Sequence, residues 1–472
     1  MSRKRILPFF IILSIPSISH SQQGLRFDTV MVESRAWYRD SLRNIRYADW
    51  KAYPSAMLRT SPEDARQHLD RICPYGGELT GKLPSSGYFQ TLKKDGRWML
   101  VDPHGHPFIA AAVNSFRQGK SPDNRKAFAD RFGNDTAWAG ASVRAFRADG
   151  FNMLGSWGDT AAIRAWNRSS PQPFPYCTQL NLLSGYASEA KRRNPARREN
   201  PIVSFILDAD FASYCDRQAA RIGYLKDDPN LFGHFSDNEI ALLHTAFAEI
   251  LRIADTADAT RRAAFAWMRA SGVDAASIHR ELKDAFIAKL AETYYRTVSE
   301  AIRRHDPNHL YLGSRLHSSA KDNAHLFRAA HPFLDVISIN YYGQWAPQPT
   351  QMSDWAGWSD RPFFITEFYT KAEDSGLPNV TGAGWLVHTQ RDRGIHYQNF
   401  CLTLLQSSHN VGWHWFRYQD NDPADPEADP SNNDSNKGLV DKYYRPHSAM
   451  TDVMRPFNTR KYVLKKSLVG GR

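Results

Sequence analysis

Residues 228–239 read Asp-Pro-Asn-Leu-Phe-Gly-His-Phe-Ser-Asp-Asn-Glu, a short apolar run that leads directly into a cluster of polar side chains. The run from Leu231 to Ser236 has the length of a strand and is shorter than a typical helix. It predicts a strand buried on both faces, as in parallel sheets that helices cover on each side. The polar residues that follow, Asn238 and Glu239, then lie at the carboxyl end of that strand.

Seven other apolar runs of this kind alternate with helix-like segments along the chain. The predicted strands are Phe108 to Asn114, Asn152 to Trp157, Phe174 to Leu180, Leu231 to Ser236, His309 to Arg315, Asp335 to Tyr341, Phe363 to Glu367 and Val411 to Phe416. The predicted helices are Thr136 to Asp149, Asp159 to Asn167, Asp210 to Leu225, Ile278 to His305, Gly384 to Ser407 and Ser448 to Met454. Because parallel strands need crossovers and these crossovers are helical, eight repeats predict a (β/α)8 barrel. The alternative is a doubly wound sheet, but no Gly-rich phosphate turn follows the first strand.

The segments outside the barrel are assigned from their local patterns. Residues 1–21 combine three basic residues, an apolar run and a small-residue end, which is typical of a secretory signal peptide. Residues 22–86 are an N-terminal extension with a short helix expected at Ser61 to Ala65. The barrel takes residues 87–460 and begins with a β-hairpin turning at Lys93 to Gly96, and residues 461–472 form a C-terminal tail.

Composition and charge restrict the class of protein. Of 472 residues, 42% are hydrophobic and 23% are charged, which excludes disorder, collagen and coiled coil. Removing Arg3, Lys4 and Arg5 with the signal lowers the net charge from +11 to +8. A basic secreted or periplasmic protein without a further membrane span favours an acidic polysaccharide partner over nucleic acid. The four cysteines are spaced too widely for a zinc motif and allow three complete disulfide pairings, among which the sequence does not choose.

Barrel enzymes carry their reactive groups at the carboxyl ends of the strands. Two glutamates occupy such positions, Glu239 after the fourth predicted strand and Glu367 at the end of the seventh. On an eight-stranded barrel these positions lie across the mouth from one another. Candidate substrate-binding residues at the other strand ends and nearby loops are Asn114, Trp157, Asn238, Arg315, His317, Asn340, Tyr342, Trp345, His414 and Trp415.

Two carboxylates that face one cleft can cut a glycosidic bond, because one protonates the leaving oxygen while the other attacks the anomeric carbon or activates water. Glu367 ends a rigid apolar strand, which suits a covalent nucleophile. Structural alternatives remain for each candidate: Tyr342 can be a core tyrosine with a satisfied hydroxyl, and the basic residues can pair within the fold. No cofactor and no metal is expected.

The chain resembles the retaining (β/α)8 glycosidases with an Asn-Glu acid/base on strand four and a nucleophilic Glu on strand seven, and within them the β-agarases. The resemblance is carried by residues 96–108, 228–239, 365–368 and 412–420, which lie in order across most of the chain. It implies that Glu239 is the acid/base and Glu367 the nucleophile. It further implies that Asn238 holds a substrate hydroxyl, Tyr342 hydrogen-bonds the nucleophile and Trp415 is a stacking floor for the sugar.

The resulting hypothesis is a secreted retaining β-glycosidase that acts on a red-algal galactan. The chain lacks the large N-terminal carbohydrate-binding domain of longer agarases, so a β-glucan, a mannan or a β-galactoside remains an alternative substrate, and a non-catalytic glycan-binding barrel an alternative function. The basic cluster Lys191 to Arg198 is expected in a loop on the substrate face, where it would meet sulfate or carboxylate groups. The Asp/Asn-rich stretch 420–436 is interpreted as a solvated loop, with calcium as the alternative.

Overall fold

A computed structural model describes residues 25–42, 44–59, 69–275, 277–429 and 432–469. The predicted signal peptide and the predicted helix at Ser61 to Ala65 lie outside these residues. In this part of the chain, every helix is too short or too polar to cross a membrane.

The strands are short, and most of the parallel ones lie where the sequence predicts them. In chain order they are β1 Phe27–Arg35, β2 Trp37–Arg39, β3 Ile45–Tyr47, β4 Lys51–Leu58, β5 Gln90–Lys94, β6 Arg97–Val101, β7 Pro107–Phe108, β8 Ala110–Val113, β9 Met153–Leu154, β10 Tyr176–Gln179, β11 Leu231–Phe235, β12 Leu310–Tyr311, β13 Ile337–Asn340, β14 Phe363–Glu367, β15 Thr370–Ala372, β16 Trp385–Val387 and β17 Asn410–Trp415.

The helices that lie between and around them outnumber the predicted ones. They are α1 Pro122–Arg131, α2 Asp135–Ala148, α3 Thr160–Asn167, α4 Leu182–Arg193, α5 Phe211–Ala220, α6 Ala246–Leu251, α7 Ala259–Ala270, α8 Arg280–His305, α9 Ala324–Ala330, α10 Pro349–Trp358, α11 Gln390–Leu405, α12 Ser448–Asn458 and α13 Lys461–Val469. Residues 461–469, predicted as a tail, form α13, and its Leu464 is fully buried.

The parallel strands form two sheets, ordered β13-β14-β17-β8-β9 and β10-β11-β12. Every one of these pairings is parallel, and β17, the last parallel strand, pairs with β8, the first. Hydrogen bonds also link the two sheets: Leu154 N–H donates to Pro175 O at 2.8 Å, and Leu316 forms a parallel bridge with Ile339. The chain thus has the mixed α/β fold that the alternation predicts.

The strands are close-packed because small residues lie where neighbouring backbones approach. A Cβ at Gly412 would lie 2.3 Å from the carbonyl oxygen of Ala110, so only glycine fits at this point of the β17–β8 pair. The predicted hairpin is present as β5 and β6, with β7 added antiparallel. Phe108 therefore belongs to the hairpin sheet and not to the first parallel strand, which begins at Ala110. The hairpin packs through Phe89 against Phe232, near the start of β11 and away from Glu239.

The N-terminal extension forms a sheet that the sequence does not predict. β1 and β4 pair antiparallel, and β16 and β15 extend the same sheet. The prediction of one helix from Gly384 to Ser407 is wrong at its start, because residues 385–387 are a strand of this sheet and the helix begins after Thr389. The side chain of Thr389 caps α11 by accepting from the backbone N–H of Asp392.

Candidate active site

Three of the predicted site residues have a left-handed backbone just beyond the carboxyl ends of their strands. The φ angles are +57° at Trp157, +51° at Glu239 and +56° at Arg315. Residues other than glycine rarely adopt this backbone conformation, and those that do are concentrated at functional sites. The strand ends β9, β11 and β12 therefore turn sharply at the place where the sequence predicts the cleft.

Glu367 is the last residue of β14 and is held by two side chains. Its Oε2 accepts a hydrogen bond from the hydroxyl of Tyr342 at 2.6 Å, and its Oε1 lies 2.8 Å from Nη2 of Arg315. Only 6% of Glu367 is exposed. Both contacts favour the carboxylate, since a phenol donates to it and a guanidinium carries the opposite charge.

Burial works against these contacts and raises the pKa of Glu367 to about 7. The charge of Arg315 and the hydrogen bond from Tyr342 lower this pKa, whereas the charge of Glu239 raises it. Asn340, which donates to Glu239, also accepts from Thr366, the residue before Glu367, so one hydrogen-bond network connects the two glutamate positions. A carboxyl poised near neutral pH is typical of catalytic sites.

Glu239 is held by an amide and not by a cation. Nδ2 of Asn340 donates to Glu239 Oε1 at 2.8 Å and lies 3.2 Å from Asn238 Oδ1, while Oδ1 of Asn340 accepts from the Thr366 hydroxyl at 2.8 Å. Burial raises the pKa of Glu239, whereas the hydrogen bond from Asn340 and the charge of Arg315 lower it. Asn340 thereby links β13 with the loop after β11 and with the strand that carries the second glutamate.

Arg315 and Asn114 support this arrangement from below. The guanidinium of Arg315 is fully buried, donates to the carbonyl of Thr366 at 2.9 Å and lies 4.2 Å from the ring centroid of Trp157. Asn114 is also fully buried; its amide donates to the same carbonyl at 2.6 Å and its Oδ1 accepts from Ser156 N–H at 3.0 Å. Asn114 therefore joins strand ends instead of presenting its amide to a substrate.

The structure does not bring two of the predicted aromatic residues to a cleft surface. Trp415 is completely buried, and its indole N–H donates to Lys437 O at 3.0 Å, so no ring face is available as a stacking floor. Trp345 is 7% exposed; its ring lies within the N-terminal sheet region, where its N–H donates to Ser55. Trp157 remains partly exposed beside Arg315.

The two predicted histidines differ in position. His414 is fully buried against Phe364, at a centroid distance of 4.9 Å, and neither ring nitrogen has a partner among the described residues. Burial lowers its pKa well below 6.5, which keeps it neutral. His317 is half-buried, its pKa is lowered by burial, and the charge of Glu367 acts on it. His317 thus keeps part of its side chain accessible, whereas His414 is an interior residue.

Sequence reasoning missed two residues of this site. Phe416, next to Trp415, keeps part of its ring exposed, with centroids 6.0 Å from Trp157 and from Tyr369. The position of Phe416 at a strand end is visible in the sequence. Whether Trp415 or Phe416 faces the cleft depends on the register of β17, which the sequence does not give. Lys437 is nearly buried, and its charge lowers the pKa of Glu367. No local pattern marks Lys437, because the chain brings it back to the strand ends.

The candidate metal ligands of the chain are already satisfied by protein groups. Within the described ranges, only His234, Asp306 and His309 bring three potential ligand atoms together. Both histidines contact the Asp306 carboxylate at 2.8 Å, and their other ring nitrogens meet Thr178 Oγ1 at 2.6 Å and Asp228 O at 2.9 Å. With all four ring nitrogens engaged, the group has the pattern of a buried structural network.

The stretch 420–436 is buried at its two ends and mostly exposed from residue 423 to residue 429, so the interpretation as a solvated loop holds for its middle and not for its ends. Asp420 and Asp434 are 6% and 5% exposed. Asp420 accepts hydrogen bonds from Asn436 and from the ring of His447, and Asp434 accepts from the backbone of Val380 and Thr381. Because protein donors occupy these carboxylates, the ends of the stretch anchor the segment that carries Lys437.

The basic cluster Lys191 to Arg198 is also placed differently from the prediction. Lys191 to Arg193 form the last turn of α4, not a loop. Arg197 is bound at both nitrogens by Asp208, at 2.7 and 2.9 Å, and contacts Asp258 at 3.4 Å. Arg197 is therefore occupied by structural ion pairs.

The four cysteines, Cys73, Cys177, Cys215 and Cys401, are buried free thiols.

Comparison with known proteins gives a consistent set of relatives. The chain is 24% identical to β-agarase B of Vibrio sp. (strain JT0107) over 492 aligned residues, which cover 83% of this chain and 50% of that protein. It is 25% identical to β-agarase A of the same strain, with coverage of 78% and 45%. The chain thus spans about half the length of these curated relatives. No protein-family model matches it.

Solved structures share its fold over nearly the whole chain. The crystal structure of BpGH50 superposes with a TM-score of 0.81 at 28% identity, over 95% of this chain and 98% of that one. The agarase AgWH50C gives a TM-score of 0.71 at 18% identity, over 93% and 90%. These comparisons confirm the predicted resemblance to the β-agarases and the α/β fold.

Proposed function

We propose that the protein is a β-glycoside hydrolase that acts on an agar-type galactan. The observation that carries the proposal is the pair of carboxyl groups at the carboxyl ends of β11 and β14, with Glu367 bound by Arg315 and Tyr342 and Glu239 bound by Asn340. The two Vibrio β-agarases support the substrate class.

The proposal includes a closed (β/α)8 barrel within residues 87–460. Each parallel strand in chain order hydrogen-bonds to the next, either by sheet pairing or through the bonds at Leu154 and Leu316, and β17 returns to β8. In such a barrel the carboxyl ends of the strands surround one cleft, and the hairpin covers the opposite end. We also propose that residues 1–21 direct the chain out of the cytoplasm, where a polymeric galactan is accessible.

The mechanism assigns different tasks to the two glutamates. Protonated Glu239 gives its proton to the glycosidic oxygen as the carboxylate of Glu367 attacks the anomeric carbon, so the bond to the leaving sugar breaks and a glycosyl ester forms. Glu239, now ionised, takes a proton from water, whose oxygen then displaces Glu367 with net retention. The surroundings match the roles, because a guanidinium and a phenol stabilise the attacking carboxylate, whereas burial raises the pKa of Glu239 against the single amide donor that lowers it.

The neighbouring polar and aromatic residues bind the sugar in this proposal. Asn238 donates to the hydroxyl beside the bond that breaks, and His317 keeps part of its side chain accessible. Trp157 and Phe416 offer partly exposed rings, on which the apolar face of a sugar can stack.

The test compares Glu367→Ala and Glu239→Ala with the exposed control Glu281→Ala. Glu367→Ala is expected to lose activity on agarose oligosaccharides and on an activated aryl β-galactoside, because both chemical steps need the nucleophile. Glu239→Ala should keep activity on the aryl glycoside and recover with azide, giving the β-azide. Glu281→Ala should match the wild type.

Proton NMR of the first product tests the stereochemistry. A β-anomer that appears before mutarotation supports retention, whereas an initial α-anomer contradicts the covalent route. If both glutamate variants kept full activity, the assigned site would be refuted. Binding of oligosaccharide without release of reducing ends would identify a non-catalytic glycan-binding protein.

A further inference from the structure

Lys437 is a buried cation without a counter-ion in contact. It is 2% exposed, and its Nζ lies 4.6 Å from the ring centroid of Phe416 and 5.5 Å from that of Tyr369. Across the described chain, no oxygen accepts a hydrogen bond from this ammonium. The two rings attract a cation but do not replace acceptors for its three N–H groups.

The position of Lys437 is set by the same strand ends that carry the site. Its carbonyl accepts from the indole of Trp415 and from the backbone N–H of Arg417, both at 3.0 Å. Its neighbour Gly438 donates its N–H to Asp420 at 2.7 Å. The ammonium is therefore held in place beside Phe416, and its charge acts on Glu367.

A second cation, Arg417, is half-buried and follows Phe416 in the chain. Its Nε is buried and has no partner among the described residues. Burial together with the charge of Arg117, beyond β8, lowers the pKa of Arg417 to about 10. The pKa of Lys437 is lowered by burial and by the charge of Arg417. A buried and a half-buried cation that repel each other are costly unless an anion joins them.

The acidic groups nearby do not supply that anion. Asp420 and Asp425 act on Arg417 through charge, and Asp429, which is exposed, acts on Lys437 in the same way. Asp420 is buried and already accepts hydrogen bonds from Asn436, His447 and Gly438. Asp425 is half-buried. The Asp425 carboxylate accepts the backbone N–H groups of Lys120 and Glu427, at 3.0 and 2.9 Å.

We propose that Lys437 and Arg417 form a subsite for an anionic substituent, a sulfate ester or a carboxylate, on a sugar bound beside Glu367. The subsite rests on the proposed glycosidase function and specifies its substrate as an acidic galactan. Arginine binds two oxygens of such a group in a fork, and lysine adds a point charge. Phe416 and Tyr369 direct the ammonium towards the same cleft in which Trp157 and Tyr342 lie.

The experiment measures kcat/KM for neutral agarose oligosaccharides, for the same oligosaccharides with a sulfate ester, and for carboxylated ones, all at one ionic strength. The variants are Lys437→Met, Arg417→Met and, as control, Arg193→Met on the exposed end of α4. The wild type should prefer one anionic series, and that series identifies the substituent. Lys437→Met and Arg417→Met should each lower the ratio of kcat/KM for that series to kcat/KM for the neutral oligosaccharides about tenfold or more. The ratio is the readout because the charge of Lys437 also lowers the pKa of Glu367, an effect that both substrates share. Arg193→Met should change neither.

Calorimetric titration with inorganic sulfate tests the subsite independently of catalysis, with chloride at matched ionic strength as reference. Sulfate binding that Lys437→Met abolishes supports the subsite, even if the wild type cuts no glycan and the proposed hydrolase function fails. Sulfate binding that is absent, or unchanged in both variants, overturns the subsite while leaving the hydrolase intact. Equal loss on neutral and acidic substrates overturns it as well, because the ratio is then unchanged. Thermal unfolding checks folding, and Lys437→Met should keep the wild-type Tm because it removes an unpaired buried charge.

Discussion

Removing the hydroxyl of Tyr342 should move the pH dependence of the enzyme in a defined direction. In Tyr342→Phe, Glu367 loses the hydrogen bond of 2.6 Å to its Oε2 but keeps its ion pair with Arg315. A hydrogen bond to a charged group contributes about 1.5–3 kcal/mol. At about 1.36 kcal/mol per pKa unit, the pKa of Glu367 should rise by about 1–2 units.

The sign follows from the role of the carboxylate. In the proposed mechanism Glu367 attacks only when ionised, so activity should rise with pH through its pKa, which burial raises to about 7. Because the Tyr342 hydrogen bond lowers this pKa, its loss shifts the acidic limb of kcat/KM to higher pH. At pH 6, below both values, the variant should therefore lose about 10- to 100-fold in kcat/KM, and the difference should shrink as the pH is raised.

Tyr341→Phe is the matched control. Tyr341 is the preceding residue and is buried, whereas Tyr342 is half-buried; the hydroxyl of Tyr341 accepts from the backbone N–H of Gln348 and does not contact Glu367. It should lower stability by about 1 kcal/mol and leave the acidic limb in place. The assay is kcat/KM for an agarose oligosaccharide from pH 4 to 10. An acidic limb that stays unchanged in Tyr342→Phe, or moves equally in both variants, would refute this account of the carboxylate.

The remaining predictions concern substrate binding, metal dependence and stability. Phe416→Ala should raise KM about tenfold through the loss of a partly exposed stacking ring, whereas the adjacent Trp415→Ala, at a completely buried position, should lower the free energy of unfolding by about 3–5 kcal/mol, which denaturant titration measures. Prolonged treatment with a chelator should leave activity and Tm unchanged, because protein groups already occupy the ring nitrogens of His234. Burial lowers the pKa of His234. The contacts of Asp306 with two histidines hold the pKa of Asp306 below its usual range. The folded state therefore binds fewer protons at these two groups than the unfolded state does. Stability should accordingly fall as the pH drops below about 6.5 and again below about 4, and Asp306→Asn should flatten the lower part of this dependence.

The eight parallel strands and both glutamates were accessible from local sequence. A strand buried on both faces is a continuous apolar run, and the residue at its carboxyl end is marked by the first polar side chain that follows, as at Asn238-Glu239 and at Glu367. These signals lie within a few residues of each other, so no knowledge of distant contacts is required to find them. The hairpin at Lys93 to Gly96 was accessible for the same reason.

The strands of the N-terminal sheet, the burial of Trp415 and the place of Lys437 depended on tertiary structure. Trp385 to Val387 is a strand because it pairs with β1 and β15, partners that a helical pattern in the local sequence does not reveal. Side chains alternate across a strand, so a register shift of one residue decides whether Trp415 or Phe416 meets the cleft. The charge of Lys437 acts on Glu367 although the two residues are 70 positions apart in the sequence, because the segment that carries Lys437 is bound to the buried Asp420 through Gly438. An interaction between residues so far apart produces no periodic pattern in the local sequence.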